Sequence, residues 1–195
     1  MEIKRAIEFD DNIREKIGEL FVEAFYDIAL KHFSKNKSKL VKTFTPMLIL
    51  DYFYVAVIDN EIAGMTTCMD IEKGNFCLNV DKEHFIKNLG IIRGRLAYLV
   101  HRNYLGNFIS DVDGKTALIE YVATGKNYRR MGVATALMKY LFALPEYENY
   151  ILELMDINTN AFELYKKLGF QEINRKKSLG RIYNIKMKYS KKGIK

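Results

Sequence analysis

The chain has 195 residues, 49% hydrophobic and 28% charged, which bounds it as one folded domain, 1–195, with a real core and excludes disorder, collagen and repeat arrays. Two cysteines cannot build a disulfide framework, and with three histidines they offer little to a metal site. The net charge of +7 is unevenly spread: residues 1–80 carry 10 Lys+Arg against 13 Asp+Glu, residues 81–170 carry 12 against 10, and the last 25 carry 9 against 1.

Residues 3–9 read as a short strand, and Asp10 and Asp11 then give a helix-start signal. Residues 1–8 hold no apolar core of a signal peptide, and no run approaches the ~18 apolar residues of a membrane span, so a cytoplasmic protein is expected. Ile13, Ile17, Leu20, Phe21, Ala24, Phe25 and Ile28 recur at helical spacing, which predicts an amphipathic helix ending near His32. Residues 34–39 are polar and read as a connection, and 40–50 as a second helix limited by Pro46. A hairpin follows, with strands 52–58 and 61–71 joined by the turn Asp59-Asn60. Residues 81–107 read as helix with irregularities at Gly90 and Gly94. Strand 116–124 leads into a helix over 132–144, closed by Pro145. Strand 150–155, helix 158–168 with Gly169 just past its end, and strands 170–173 and 182–189 complete the chain. Arg175, Lys176 and Lys177 fall on the last turn. The mixture of hairpins and crossovers predicts an α+β domain with one central mixed, mostly antiparallel sheet flanked by helices.

The segment from Tyr128 to Met138 carries the most chemistry. It lies where a strand feeds a helix, and the first-turn amides of a helix lack internal partners at the positive end of its dipole. Gly132 and Ala134 keep side chains away from that main chain, and Arg129 and Arg130 add charge at its rim, so the turn suits a diphosphate. It lacks the Gly-Lys-Ser/Thr of a Walker loop and the third glycine of a dinucleotide fingerprint. A helix start with a small-residue packing face explains the same residues without any ligand. A second unit follows at 156–170, where Asn158, or Asn160 with Glu163, can cap the helix.

Together these blocks resemble the GNAT superfamily of acetyl-CoA-dependent N-acetyltransferases. Arg129-x-x-Gly132-x-Ala134 is similar to the family's Gln/Arg-x-x-Gly-x-Gly/Ala loop, and Asn158, Ala161, Leu164, Tyr165, Lys167, Leu168, Gly169 and Phe170 are similar to its second conserved block. The resemblance implies that amides of Arg130, Met131, Gly132, Val133, Ala134 and Thr135 hold the pyrophosphate of coenzyme A, with acetyl-CoA as cosubstrate and no metal. It implies that the main chain of Val122, Ala123 and Thr124 pairs with the pantetheine arm and that the Val122 amide polarises the thioester. Asn158 would bond the cofactor from the other side, and Tyr165 would protonate the departing thiolate. A preorganised oxyanion donor and a phenol of pKa ~10 suit that chemistry.

Two alternatives stay open for Tyr165, which also fits a core position on the stripe with Ala161, Leu164 and Leu168. Glu120 is the candidate general base, since alternation puts Glu120, Val122 and Thr124 on one side of the strand; a solvated or salt-bridged carboxylate is the competing reading, and a water can serve instead. Cys68 and Cys77 read as buried thiols, and Met65 and Met69 as core. Tyr26, His101 and Arg102 are candidate walls of an acceptor pocket. The expected partner is a small-molecule or peptide amine, with no membrane and no nucleic acid, and homodimerisation is left open. A non-catalytic coenzyme A sensor of the same fold is the alternative function. The basic end reads as a solvated strand edge and tail, Lys186, Lys188, Lys191, Lys192 and Lys195 included.

Overall fold

The computed structural model describes residues 1–9, 12–70, 77–106, 114–178 and 180–191, with only the backbone of 103–106. Asp10 and Asp11, the strand end at Ile71, residue 107, Lys192 and Lys195 lie outside the described residues. In chain order the elements are β1 (Glu2–Arg5), α1 (Ile13–Phe25), α2 (Lys37–Phe44), β2 (Phe53–Ile58), β3 (Glu61–Asp70), α3 (Lys82–Leu89), α4 (Ile91–Gly106), β4 (Thr116–Thr124), α5 (Val133–Phe142), β5 (Asn149–Met155), α6 (Thr159–Lys167), β6 (Gln171–Lys177) and β7 (Tyr183–Ser190).

One seven-stranded sheet runs β1-β2-β3-β4-β5-β7-β6, and only the β4–β5 pair is parallel. The α+β reading holds. Helices α1 to α4 cover one face of β2–β4, around Ile17, Phe21, Leu40, Phe44, Phe85 and Leu118. Helices α5 and α6 cover the opposite face, around Val133, Leu137, Tyr150, Tyr165, Phe170 and Met187. Phe21, Phe44, Phe53 and Phe85 are fully buried, each worth about 2–3 kcal/mol of apolar transfer. Strands β5, β7 and β6 contribute nothing to the first core, so α1–α4 stop at β4. Among the described residues no helix is long and apolar enough to cross a membrane.

Several boundaries differ from the sequence expectation, each for a local reason. α1 stops at Phe25, and Leu30–His32 is a separate single turn. The polar stretch 34–39 is not a mere connection, because the Asn36 side chain accepts from the Lys39 amide at 3.0 Å and starts α2. The hairpin turn is confirmed by positive φ at Asp59 and Asn60. Of the two suspected irregularities only Gly90 breaks the helix; Gly94 lies within α4 where a Cβ would meet the Ile86 backbone at 2.5 Å, so it permits close packing of α4 on α3. Arg175, Lys176 and Lys177 do not form a turn. They pair with Ile185, Asn184 and Tyr183 in β6, the exposed edge strand, whereas the last strand β7, with Lys186 and Lys188, lies between β5 and β6 and is not the edge the sequence suggested.

Candidate active site

β4 does not alternate as a regular strand. Met65 pairs with Ala123 and Thr67 with Glu120, so Tyr121 and Val122 together oppose Thr66 in a β-bulge. Tyr121 sits at φ +49°, in the left-handed region that costs a non-glycine residue about 1 kcal/mol or more. Its ring is held against Phe21 and Phe25 of α1, with centroids 5.0 and 5.5 Å away. The bulge overturns the expectation that Glu120, Val122 and Thr124 share a side. Glu120 meets Cys77 of the α1–α4 core and Tyr121 packs on that same core, whereas Val122 packs on the α5–α6 core. Glu120 is 6% exposed; its carbonyl accepts from the Thr66 and Thr67 hydroxyls at 3.2 Å, and its Oε2 accepts from the Cys77 thiol at 3.7 Å. Burial and the Glu120 carboxylate push the Cys77 thiol well up, so it is a protonated donor.

The parallel pair β4–β5 holds for only three residues, from Thr116 opposite Asn149 to Leu118 opposite Ile151. Beyond that point both strands continue but no longer pair with each other. Val122, Ala123 and Thr124 therefore turn one backbone edge to β3 and the other to a gap. Glu120 borders the gap from β4 and Glu153 from β5. Tyr150, Leu152 and Leu154 face the α5–α6 core, so Glu153 faces the opposite side, as Glu120 does. Glu153 is half-buried, accepts from Asn184 Nδ2 at 2.8 Å, and is raised above the ordinary carboxylate range chiefly by burial.

The turn after β4 leads into α5 on the opposite face of the sheet. Its start is pinned by Gly125 N–H donating to the Ala63 carbonyl at 2.9 Å and by Lys126 N–H donating to Glu23 Oε1 at 3.3 Å. Arg130 at φ +65° and Gly132 at φ +79° then curl the backbone into α5. Gly132 is the N-cap and supplies no side-chain bond; Ala136 N–H is the amide that reaches its carbonyl, at 2.9 Å. The amides of Val133, Ala134 and Thr135 are thus the first-turn donors an α-helix leaves without internal partners. A Cβ on Gly132 would meet open space, so the turn faces outward and needs glycine for its φ rather than for room. Arg129, Arg130 and Met131 are exposed around it. α5 lies close to the sheet because β3 carries Gly64, where a Cβ would meet Val133 Cγ1 at 2.6 Å and the Ala123 carbonyl at 2.8 Å.

Asn158 rather than Asn160 caps α6, its Oδ1 accepting from Ala161 N–H at 3.4 Å while its amide nitrogen stays a donor. Tyr165 is 6% exposed in the α5–α6 core, its ring 5.6 Å from that of Phe170, and burial raises its phenol so that it holds its proton. The candidate residues thus lie on two faces of the sheet, Glu120 and Glu153 toward the α1–α4 side and the α5 turn and Tyr165 on the α5–α6 side.

Three other candidates do not join them. His101 is half-buried among Phe33, Phe44 and Phe85, with Phe85 stacked at 5.6 Å, and burial lowers it to about 4; its ring packs on the α1–α4 core. Arg102 is exposed and lies over the Tyr98 ring. The Tyr26 hydroxyl is engaged with the Lys35 carbonyl at 3.0 Å, and Lys37 sits over the ring. Cys68 and Cys77 are buried free thiols, and Met65 and Met69 are core, as read. Glu153 and Gly64 escaped the sequence reading; the one visible signal for Glu153 was a lone charge inside the apolar run 150–155.

The model of the acetyltransferase (GNAT) family matches residues 15–170 of the chain. The zebrafish (Danio rerio) N-alpha-acetyltransferase 50 is 26% identical over 153 residues, 75% of this chain and 74% of that protein. Among solved structures, an N-acetyltransferase from Staphylococcus aureus Mu50 superposes with a TM-score of 0.64 at 19% identity, covering 97% of this chain and 100% of that one. The ribosomal-protein-S18-alanine N-acetyltransferase of Escherichia coli superposes at 0.55 with 14% identity, covering 97% and 92%. At these identities the structures share the fold.

Proposed function

The chain belongs to the GNAT acetyltransferase family, and from that premise we propose that it transfers an acetyl group from acetyl-CoA to a primary amine, on a small molecule or a peptide, by direct attack in a ternary complex in the cytoplasm. The observation that carries this reading is the gap between β4 and β5, bordered by a free backbone edge at Val122–Thr124, together with the uncapped N-terminus of α5 that follows β4 in the chain. Both halves suit the cosubstrate. The first-turn amides of Val133, Ala134 and Thr135, with Arg130 and the outward-facing Gly132, fit a diphosphate, and an extended amide-bearing arm can add to the edge of β4 as a further strand. Acetyl-CoA, when bound, supplies the activated acyl thioester.

The chain's own residues then divide the work. Glu120 takes the proton of the incoming ammonium, and its low exposure strengthens its pull on that cation. The Val122 main-chain N–H, presented at the bulge, donates to negative charge that develops in the gap. Tyr165, held protonated by burial, donates its hydroxyl hydrogen toward the leaving sulfur on the α5–α6 side. Asn158 contributes its side-chain amide from the start of α6. Because a curated relative, the zebrafish protein, is an N-alpha-acetyltransferase, a peptide α-amine is the acceptor to try first.

The test is calorimetry with acetyl-CoA followed by thiol release over a panel of small amines and peptides. Binding with thiol release on a subset supports the proposal. Binding without release on the whole panel favours a coenzyme A sensor, and no binding refutes both.

A further inference from the structure

Among the described residues the α1–α4 core does not extend beyond the gap onto β5, β7 and β6, although Ile151 of β5 is buried on that face, and the chemistry of the face speaks to the acceptor. On β7, Ile185, Met187 and Tyr189 turn toward α5 and α6 and are buried, so Asn184, Lys186 and Lys188 turn the other way. Cross-strand partners share a face, which adds Glu153 of β5, opposite Lys186, and Lys176 of β6, opposite Asn184. Asn184, Lys186 and Lys188 are half-exposed and Lys176 is exposed. Lys186 and Lys176 both act electrostatically on the Glu153 carboxylate. Among the described residues of β5, β7 and β6, this face thus sets Lys176, Lys186 and Lys188 beside Glu153, one of the two carboxylates that border the gap. Arg175, by contrast, pairs with Glu172 and sits opposite Ile185 on the other side.

We propose that the acceptor is an acidic peptide segment, whose amine enters the gap between Glu120 and Glu153 and whose following carboxylates lie across Lys186, Lys188 and Lys176. This inference rests on the acetyl-transfer reading above. The dimensions suit it: β7 and β6 lie about 5 and 10 Å from β5, a distance that an extended peptide covers in about three residues. The polarity suits it too, because an acidic peptide with a free amine is cationic at one end and anionic just behind it, the reverse of carboxylates at the gap and lysines beyond. A nucleic acid fits less well. The named residues of this face include no aromatic ring on which a base could stack, and Glu153 would oppose a phosphate.

The experiment is steady-state thiol release with three tetrapeptides bearing a free α-amine, carrying Glu, Ser or Lys at positions two to four. The expected order in kcat/KM is acidic above neutral above basic, with roughly tenfold between the first two, shrinking as salt is raised. The double variant Lys176→Glu/Lys188→Glu should invert the order while acetyl-CoA affinity is kept, and Lys166→Glu on α6 should leave the order unchanged. Circular dichroism verifies folding of each variant, and the single Lys176→Gln at the exposed edge should reduce the acidic preference if the double variant does not fold. Equal kcat/KM for acidic and neutral peptides, or an acidic preference that survives Lys176→Glu/Lys188→Glu, overturns the inference. So does competition by a single-stranded RNA oligonucleotide that is lost in the double variant. Thiol release on neutral amines alone leaves acetyl transfer standing and this inference refuted, whereas acetyl-CoA binding without thiol release on any amine refutes the acetyl-transfer reading itself.

Discussion

Glu120 and Glu153 occupy equivalent places on two different strands. Each lies two residues past Leu118 and Ile151, the last register pair between β4 and β5, and both face the side of the sheet on which α1–α4 pack. One is sealed beside a thiol and the other is half-exposed beside an amide. In the proposed reaction this asymmetry separates their tasks, proton acceptance at Glu120 and acceptor placement at Glu153.

Glu120→Gln should lower kcat about 10²–10⁴-fold, the range of a lost general base, with acetyl-CoA affinity nearly unchanged. Glu153→Gln should raise KM for the amine more than it lowers kcat. Initial rates at saturating acetyl-CoA separate the two, and a shared pattern in both variants contradicts the division.

Tyr165→Phe keeps the ring against Phe170 and removes only the hydroxyl. Turnover should fall by roughly 10–100-fold when chemistry limits the rate, with acetyl-CoA binding intact. Burial holds the phenol protonated, so the wild type should show no alkaline loss from this group up to pH ~10. Unchanged single-turnover rates in Tyr165→Phe would return Tyr165 to a core role.

Gly132→Ala meets no steric obstacle, yet it forces an L side chain to φ +79°. The strain costs about 1–2 kcal/mol, and relaxing it reorients the α5 amides. Gly132→Asn, which tolerates this region better, should lose less in both Tm and acetyl-CoA affinity. Equal losses would mean that side-chain bulk, not φ, governs the turn.

His101 makes the fold sensitive to acid. Its value is lowered by burial from 6.5 to about 4, so between these limits the unfolded chain binds a proton that the native chain excludes. Its stability contribution is complete above pH ~6.5 and is lost as pH falls toward ~4, by about 3 kcal/mol in all. Urea unfolding at pH 7 and 4.5 should show a steeper loss in the wild type than in His101→Leu. Parallel losses would contradict the assignment.

What could be read in advance followed local chemistry. The Asp59-Asn60 turn, strand 116–124 and the Gly132 helix start declare themselves through residues that meet their conformational demands in place. The bulge at Tyr121 does not, because its cause is the docking of Phe21 and Phe25 from a helix about 100 residues earlier, and one slipped residue reverses every side assigned by alternation. Glu153 stayed hidden for a similar reason: its place at the gap depends on where β4 and β5 stop pairing. His101 carries the residue type of a functional site, but its surroundings come from α2, α3 and the segment after α1, so only the tertiary structure shows a histidine packed on the core.

The most direct test of the central claim is amide hydrogen exchange on the full chain with and without acetyl-CoA. The account predicts that the cosubstrate protects two separated stretches together, the backbone edge 122–124 and the first turn of α5 at 133–135, and that Gly132→Ala weakens both. Saturating acetyl-CoA that leaves exchange in both stretches unchanged would contradict it.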